Sequence, residues 1–183
     1  MVNNNLNLTV MLVKKSCKLI AVSISLMLSY SSIAQRPVPT PYINPVVNYV
    51  RTWDAQIPEN NSDNVNTATS VKKYKMSTQY LDGLGRPWQI VLKQGSLISG
   101  SEPTDLVNAV EYDEQGRVQF SYLPFAANIT NGNPSLNDGF FKLNPFEQQK
   151  TFYDNQLSGQ GETWYYNQIL FDPSPLNLFT KSM

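Results

Sequence analysis

Two reversals with the same spelling constrain this chain more than any other feature. Residues 80–86 read Tyr-Leu-Asp-Gly-Leu-Gly-Arg, and residues 112–117 read Tyr-Asp-Glu-Gln-Gly-Arg. In each, D-x-x-G-R follows a tyrosine-bearing stretch and precedes an apolar one. A type I turn asks for this order. Asp82 and Asp113 at the first position can accept hydrogen bonds from amides further along the turn. Gly85 and Gly116 at the fourth can take φ > 0 with no Cβ to clash. A type I turn followed by a left-handed glycine closes a hairpin. Arg86 and Arg117, which open the return strands, can lie back over the aspartate or over an aromatic face. Tyr80, Asp82, Gly85, Arg86, Tyr112, Asp113, Gly116 and Arg117 are therefore read as turn residues, and the fold as mainly β, built of antiparallel hairpins.

The flanking segments agree. Tyr74, Met76, Thr78 and Tyr80 alternate with Lys75, Ser77 and Gln79, the period of a half-buried strand. Trp88–Leu92 continues beyond the first turn. Val107–Tyr112 is predicted as the strand before the second turn. Val118, Phe120 and Tyr122 form the strand after it, ended by Pro124. Val46–Trp53 reads as a strand of mixed exposure, and Ala55–Ser70 as a long polar loop. Asn144-Pro145-Phe146-Glu147 is a helix start, with Asn as cap, Pro first in the helix and Glu three residues after the cap. A short helix is expected to about residue 152. Glu162–Phe171 supplies the last predicted strand, broken by Pro173 and Pro175.

Ahead of all this stands a leader. Lys14, Lys15 and Lys18 precede the apolar run Leu19–Tyr30, and Ser32 and Ala34 place small residues at the −3 and −1 positions of a cleavage site before Gln35. This is the tripartite secretory signal, assigned to residues 1–34, with Met11 the better start codon. Twelve helical residues span about 18 Å, short of about 30 Å of hydrocarbon, so the processed protein is not expected to span a membrane. Residues 35–47, with four prolines in Arg36–Pro45, read as an extended linker. Residues 48–183 form the β-rich domain. The expected location is the periplasm, the cell surface or the extracellular space.

Composition narrows the chemistry. The whole chain has no histidine and one cysteine, Cys17, which lies in the leader. The commonest general base and metal ligand is thus missing, and so are disulfides and a thiolate nucleophile in the mature part. Three of fourteen basic residues fall in the leader while all fourteen acidic ones follow it. The mature domain is mildly acidic, without the footprint of a nucleic-acid binder. No G-x-S-x-G or phosphate-binding loop is present. No cofactor, metal or catalytic residue is assigned, and an enzyme is not expected.

Two sharper readings compete with packing. Asp82 and Asp113 could be paired catalytic carboxylates, which needs roughly 5–9 Å between them and one raised pKa. Placement at distant hairpin tips would leave them no shared site. Trp53, Trp88, Trp164, Tyr165 and Tyr166 could form a platform for a glycan or a protein. Aromatic residues in strands more often pack across the sheet, and burial of Trp88 and Tyr165 would exclude the platform.

YDEQGR at 112–117, followed by VQFSYLP, resembles the YD repeat of Rhs-type proteins. STQYLDGLGRPWQIVLKQGS (77–96) and FDPSPLN (171–177) resemble the uncharacterised domain at the start of many large Rhs-repeat proteins of Gram-negative bacteria. The likeness runs from about Asn48 to Asn177. It implies a wall of hairpins contributing to a hollow shell, with the eight turn residues structural. The partner it implies is a downstream Rhs-repeat portion or another protein. The two repeats are more widely spaced than usual, and Tyr153-Asp154 begins a third that lacks the G-R ending. On this resemblance the chain is an N-terminal piece, expected to expose an unpaired strand edge and to self-associate.

Overall fold

A computed structural model describes residues 36–66, 70–96, 102–130, 133, 135–172 and 178–182. The chain divides into two units, Met1–Arg36 and Pro37–Met183. The leader, with Cys17 and Met11, lies outside the described residues, as do Pro173 and Pro175. The fold from Pro37 onward is mainly β. Among the described residues it has eight strands in two antiparallel sheets and two helices.

The larger sheet grows outward from the first turn. β2 (Tyr74–Leu81) and β3 (Pro87–Leu92) form the expected hairpin, with a register shift between Tyr80 and Leu81 that lets the turn close. β1 (Asn48–Ala55) pairs with β2 along its whole length. β4 (Leu106–Ala109) pairs with β3. β6 (Phe125–Ala126) pairs with β4, giving the order β1-β2-β3-β4-β6. The smaller sheet has the order β5-β7-β8, from β5 (Phe120–Tyr122), β7 (Tyr166–Phe171) and β8 (Phe179–Ser182). The polar segment between β1 and β2 contains α1 (Ser62–Asn66), where a loop was expected. The helix after Asn144 is α2 (Pro145–Gln156), four residues longer than its start signal suggested. The Asn144 side chain bonds the Glu147 carboxylate rather than an amide of the first turn.

Alternation of burial explains the larger sheet. Tyr74, Met76, Thr78 and Tyr80 are buried while the residues between them are not. Tyr80 packs with Val91, Val107, Phe125 and Ala127 in one cluster. A second cluster joins Ala109, Phe120, Tyr122, Phe146 and Tyr165. Tyr153 of α2 touches both, with its ring stacked 5.2 Å from that of Tyr165.

Three further expectations need correction. The second reversal was expected to join a paired hairpin, but β4 and β5 lie in different sheets. β4 stops at Ala109, and after the turn the chain peels away to bury Phe120 and Tyr122 in the second cluster. β7 begins at Tyr166 rather than Glu162, and it is not the last strand, because β8 adds to its edge. Tyr153-Asp154 starts no third repeat, since both residues are helical in α2. Tyr42 of the proline-rich segment makes contacts with the domain. The Tyr42 amide donates to the Leu143 carbonyl (2.8 Å), and its ring packs on Trp88 (4.5 Å between centroids), Phe141 and Phe146.

Candidate functional site

The two D-x-x-G-R turns share one geometry. In the first, the Gly85 amide donates to the Asp82 carbonyl (3.0 Å) and the Asp82 amide to the Arg86 carbonyl (2.9 Å). Asp82 Oδ1 accepts from the amides of Leu84 (2.9 Å) and Arg86 (2.8 Å), and Oδ2 from Arg86 Nε (2.8 Å). The second turn repeats each bond. Gly116 donates to Asp113, and Asp113 to Arg117, both at 2.9 Å. Asp113 Oδ1 accepts from the Gln115 and Arg117 amides, and Oδ2 from Arg117 Nε. Gly85 and Gly116 have φ of 78° and 77°, where a side chain would be strained.

Neither carboxyl is raised, as a general acid would require. Burial alone would raise the Asp82 carboxyl, but the Arg86 amide and guanidinium and the Leu84 amide outweigh it and hold it below the ordinary range. Asp113 is lowered in the same way by Arg117 and Gln115, against the same effect of burial. A general acid needs a raised carboxyl, and the pair provides none.

The turns stand side by side, not at distant tips. The Arg86 guanidinium lies over the Tyr112 ring, 4.1 Å from its centroid, and Nη1 donates to the Gly116 carbonyl (3.4 Å). The Tyr112 hydroxyl donates to the Pro87 carbonyl (2.8 Å). Arg117 makes the corresponding contact one unit further on, over Phe171 of β7 at 4.5 Å. Each arginine thus clamps its own aspartate and covers an aromatic ring of the next element. The two tyrosines are not equivalent. Tyr112 adjoins Asp113, whereas Tyr80 is two residues before Asp82 and is buried, with its hydroxyl donating to the Gly139 carbonyl (3.1 Å).

Between the turn pair and the proline-rich segment lies a cleft of about 570 Å³, lined by Tyr42, Asp82, Arg86, Trp88, Glu111 and Asp113 among others. Its acidic groups are engaged in the protein. Both aspartates are bound within their turns, and Glu111 accepts from the Tyr122 hydroxyl (2.9 Å). The five candidate aromatics do not share one face: Trp164, Tyr165 and Tyr166 pack together, Tyr166 lying 5.4 Å from Trp164 and 5.5 Å from Tyr165 between centroids, apart from Trp53 and Trp88. Tyr165 is buried, Trp88 is half-buried beneath Tyr42, Trp53 lies on β1, and Trp164 is exposed. Among the described residues no group of three His, Cys, Asp or Glu side chains could hold a metal, and no helix is long and apolar enough to cross a membrane.

Sequence reasoning missed a buried ionic knot. Lys142 Nζ donates to Asp105 (2.8 Å), Asp138 (3.1 Å) and the Ser135 carbonyl (3.1 Å). Asp105 also accepts from the amides of Gln94 and Gly139. Buried Gln89 clasps the Lys142 backbone from both sides, donating to its carbonyl (2.6 Å) and accepting from its amide (3.0 Å). The available signal was a lysine inside the apolar run Phe140-Phe141-Lys142-Leu143.

The model of a family described as a domain of unknown function (DUF6443) matches residues 51–183. No curated protein and no solved structure matches the chain.

Proposed function

The chain belongs to the DUF6443 family, and we propose that it is a non-catalytic structural module of an exported YD-repeat protein, adding hairpin units to a shell-like assembly. The observation that carries this reading is the stacking of the two turns, in which Arg86 binds its own Asp82 and covers Tyr112 of the next unit. Units that bury their faces on neighbours are what a repeat wall requires. Arg117 over Phe171 extends the same contact by another step. The absence of histidine and the fully engaged, lowered aspartates support a role without catalysis.

The partner in this reading is a downstream YD-repeat polypeptide, and the site of action is outside the cytoplasm, after cleavage of the leader. Glycan binding through exposed aromatics has less support, because Tyr165 is buried and Trp88 is half-covered. Sequencing the transcript past codon 183 tests the proposal. The expected result is a frame that runs on through further Y-D-x-x-G-R units. A genuine stop with no such units beyond it overturns the reading.

A further inference from the structure

β1 is an edge of the larger sheet. Among the described residues its one strand partner is β2. Edge strands are commonly blunted by lysine, proline, a bulge or shortness. β6 has two residues and follows Pro124, β5 has three, and β8 has four and carries Lys181. β1 runs for eight residues, NYVRTWDA, without proline, lysine or a register shift; its two charges are Arg51, whose Nε is held to Thr78 Oγ1 (3.0 Å), and the exposed Asp54. Tyr49 and Val50 on it are 57% and 55% exposed.

The hydrogen-bond phase fixes which groups face outward. The Gln56 amide donates to the Lys73 carbonyl, one step beyond the paired residues Ala55 and Tyr74. In an antiparallel pair, directly bonded positions alternate with unbonded ones. Residues 48, 50, 52 and 54 therefore bond to β2. The Lys93 amide donates to the Met76 carbonyl, which turns residues 76, 78 and 80 toward β3 and agrees with this phase. The amides and carbonyls of Tyr49, Arg51, Trp53 and Ala55 point to the open side.

We infer that this edge is self-complementary, and that two copies of the chain pair antiparallel through β1 about a two-fold axis at Thr52. Only with the axis at Thr52 do all four outward residues find partners among themselves, Arg51 with the second copy's Trp53 and Tyr49 with its Ala55. An axis at Arg51 would set two guanidinium groups face to face, which is unfavourable. With the axis at Thr52, each guanidinium meets an indole instead. Arg51 already packs this way within one copy, 5.1 Å from the Tyr49 ring centroid and 5.9 Å from that of Trp53. On the other face Thr52 meets Thr52, a favourable cross-strand pair. The product is one continuous sheet of ten strands, since each copy contributes a sheet of five. This inference does not depend on the shell reading.

The test uses the full chain in a Cys17→Ser background, so that any introduced cysteine is the sole thiol. Thr52→Cys should form a disulfide-linked dimer on mild oxidation, because unbonded cross-strand pairs have Cα atoms about 4.5 Å apart, within disulfide reach. Val50→Cys should not, since its counterpart lies four residues away along the strand. In sedimentation, the unsubstituted chain should run at twice the chain mass. Thr52→Lys and Thr52→Asp should each run as monomers, and their mixture should recover the dimer. Recovery on mixing also shows that both variants are folded. A monomeric unsubstituted chain, crosslinking of both cysteine variants alike, or association that Thr52→Lys leaves intact would each overturn the inference.

Discussion

Gly85 and Gly116 share a left-handed backbone but differ in their neighbours. A Cβ on Gly85 would meet nothing within 4 Å, whereas one on Gly116 would stand 2.6 Å from Arg86 Nη1. Gly85→Ala should therefore cost only the conformational strain, about 1–2 kcal/mol. Gly116→Ala should cost more, because it also displaces the arginine that ties the turns together. In an Arg86→Ala background that excess should vanish, as urea unfolding of the four variants would reveal. The aspartates predict an acid limb. Their folded carboxyls lie below the ordinary 3.8, so their stabilisation is present above that value and is lost as pH falls through the lowered one. Asp82→Asn with Asp113→Asn should flatten the stability profile below about pH 4, because the amide keeps an acceptor but no longer titrates. These turn residues were legible in the sequence, since a turn's demands are local. The unequal roles of Tyr80 and Tyr112 were not, because a shift of one residue relative to the turn sends a side chain to the opposite face.

At the level of elements, the knot at Lys142 ties the β3–β4 connection to the segment leading into α2. Lys142→Met should destabilise by about 3–5 kcal/mol, because it strands the Asp105 carboxylate in the interior. Replacing Lys142 and Asp105 together by apolar residues should cost less than the two single changes combined. Calorimetric unfolding of the single and double variants checks both statements. β2, β3 and α2 could be read from alternation and from the N-P-F-E start, which are features of short windows. The parting of β4 from β5 could not. The turn between them is spelled like a hairpin, and what separates the strands is the affinity of Phe120 and Tyr122 for Phe146 and Tyr165, up to 45 residues away. β8 was missed for the same reason: four residues acquire strand character only beside β7.

For the molecule as a whole, the absence of histidine leaves a broad middle range of pH without a titrating side chain of ordinary pKa from residue 35 onward. Stability should be nearly flat from about pH 5 to 9. The tyrosines set the alkaline limit. Burial pushes the Tyr165 phenol up to about 12, with Asp154 and Tyr166 adding to it, and burial also raises Tyr42, Tyr80 and Tyr153. Their stabilisation is complete below the ordinary value of 10.0 and is lost as pH climbs through the raised ones. Thermal unfolding across the alkaline range, followed together with phenolate absorbance, should show unfolding and ionisation arriving in one transition.

The ring of Tyr42 sits ahead of the stretch by which this family is recognised, which begins at residue 51. A polypeptide trimmed to that boundary would lose a wedge from between Trp88, Phe141 and Phe146, and also the first three residues of the outermost strand. It should melt well below a version that begins at Pro37 and should bind hydrophobic dyes that the longer one ignores. The working unit of this fold is therefore longer at its front than its family signature.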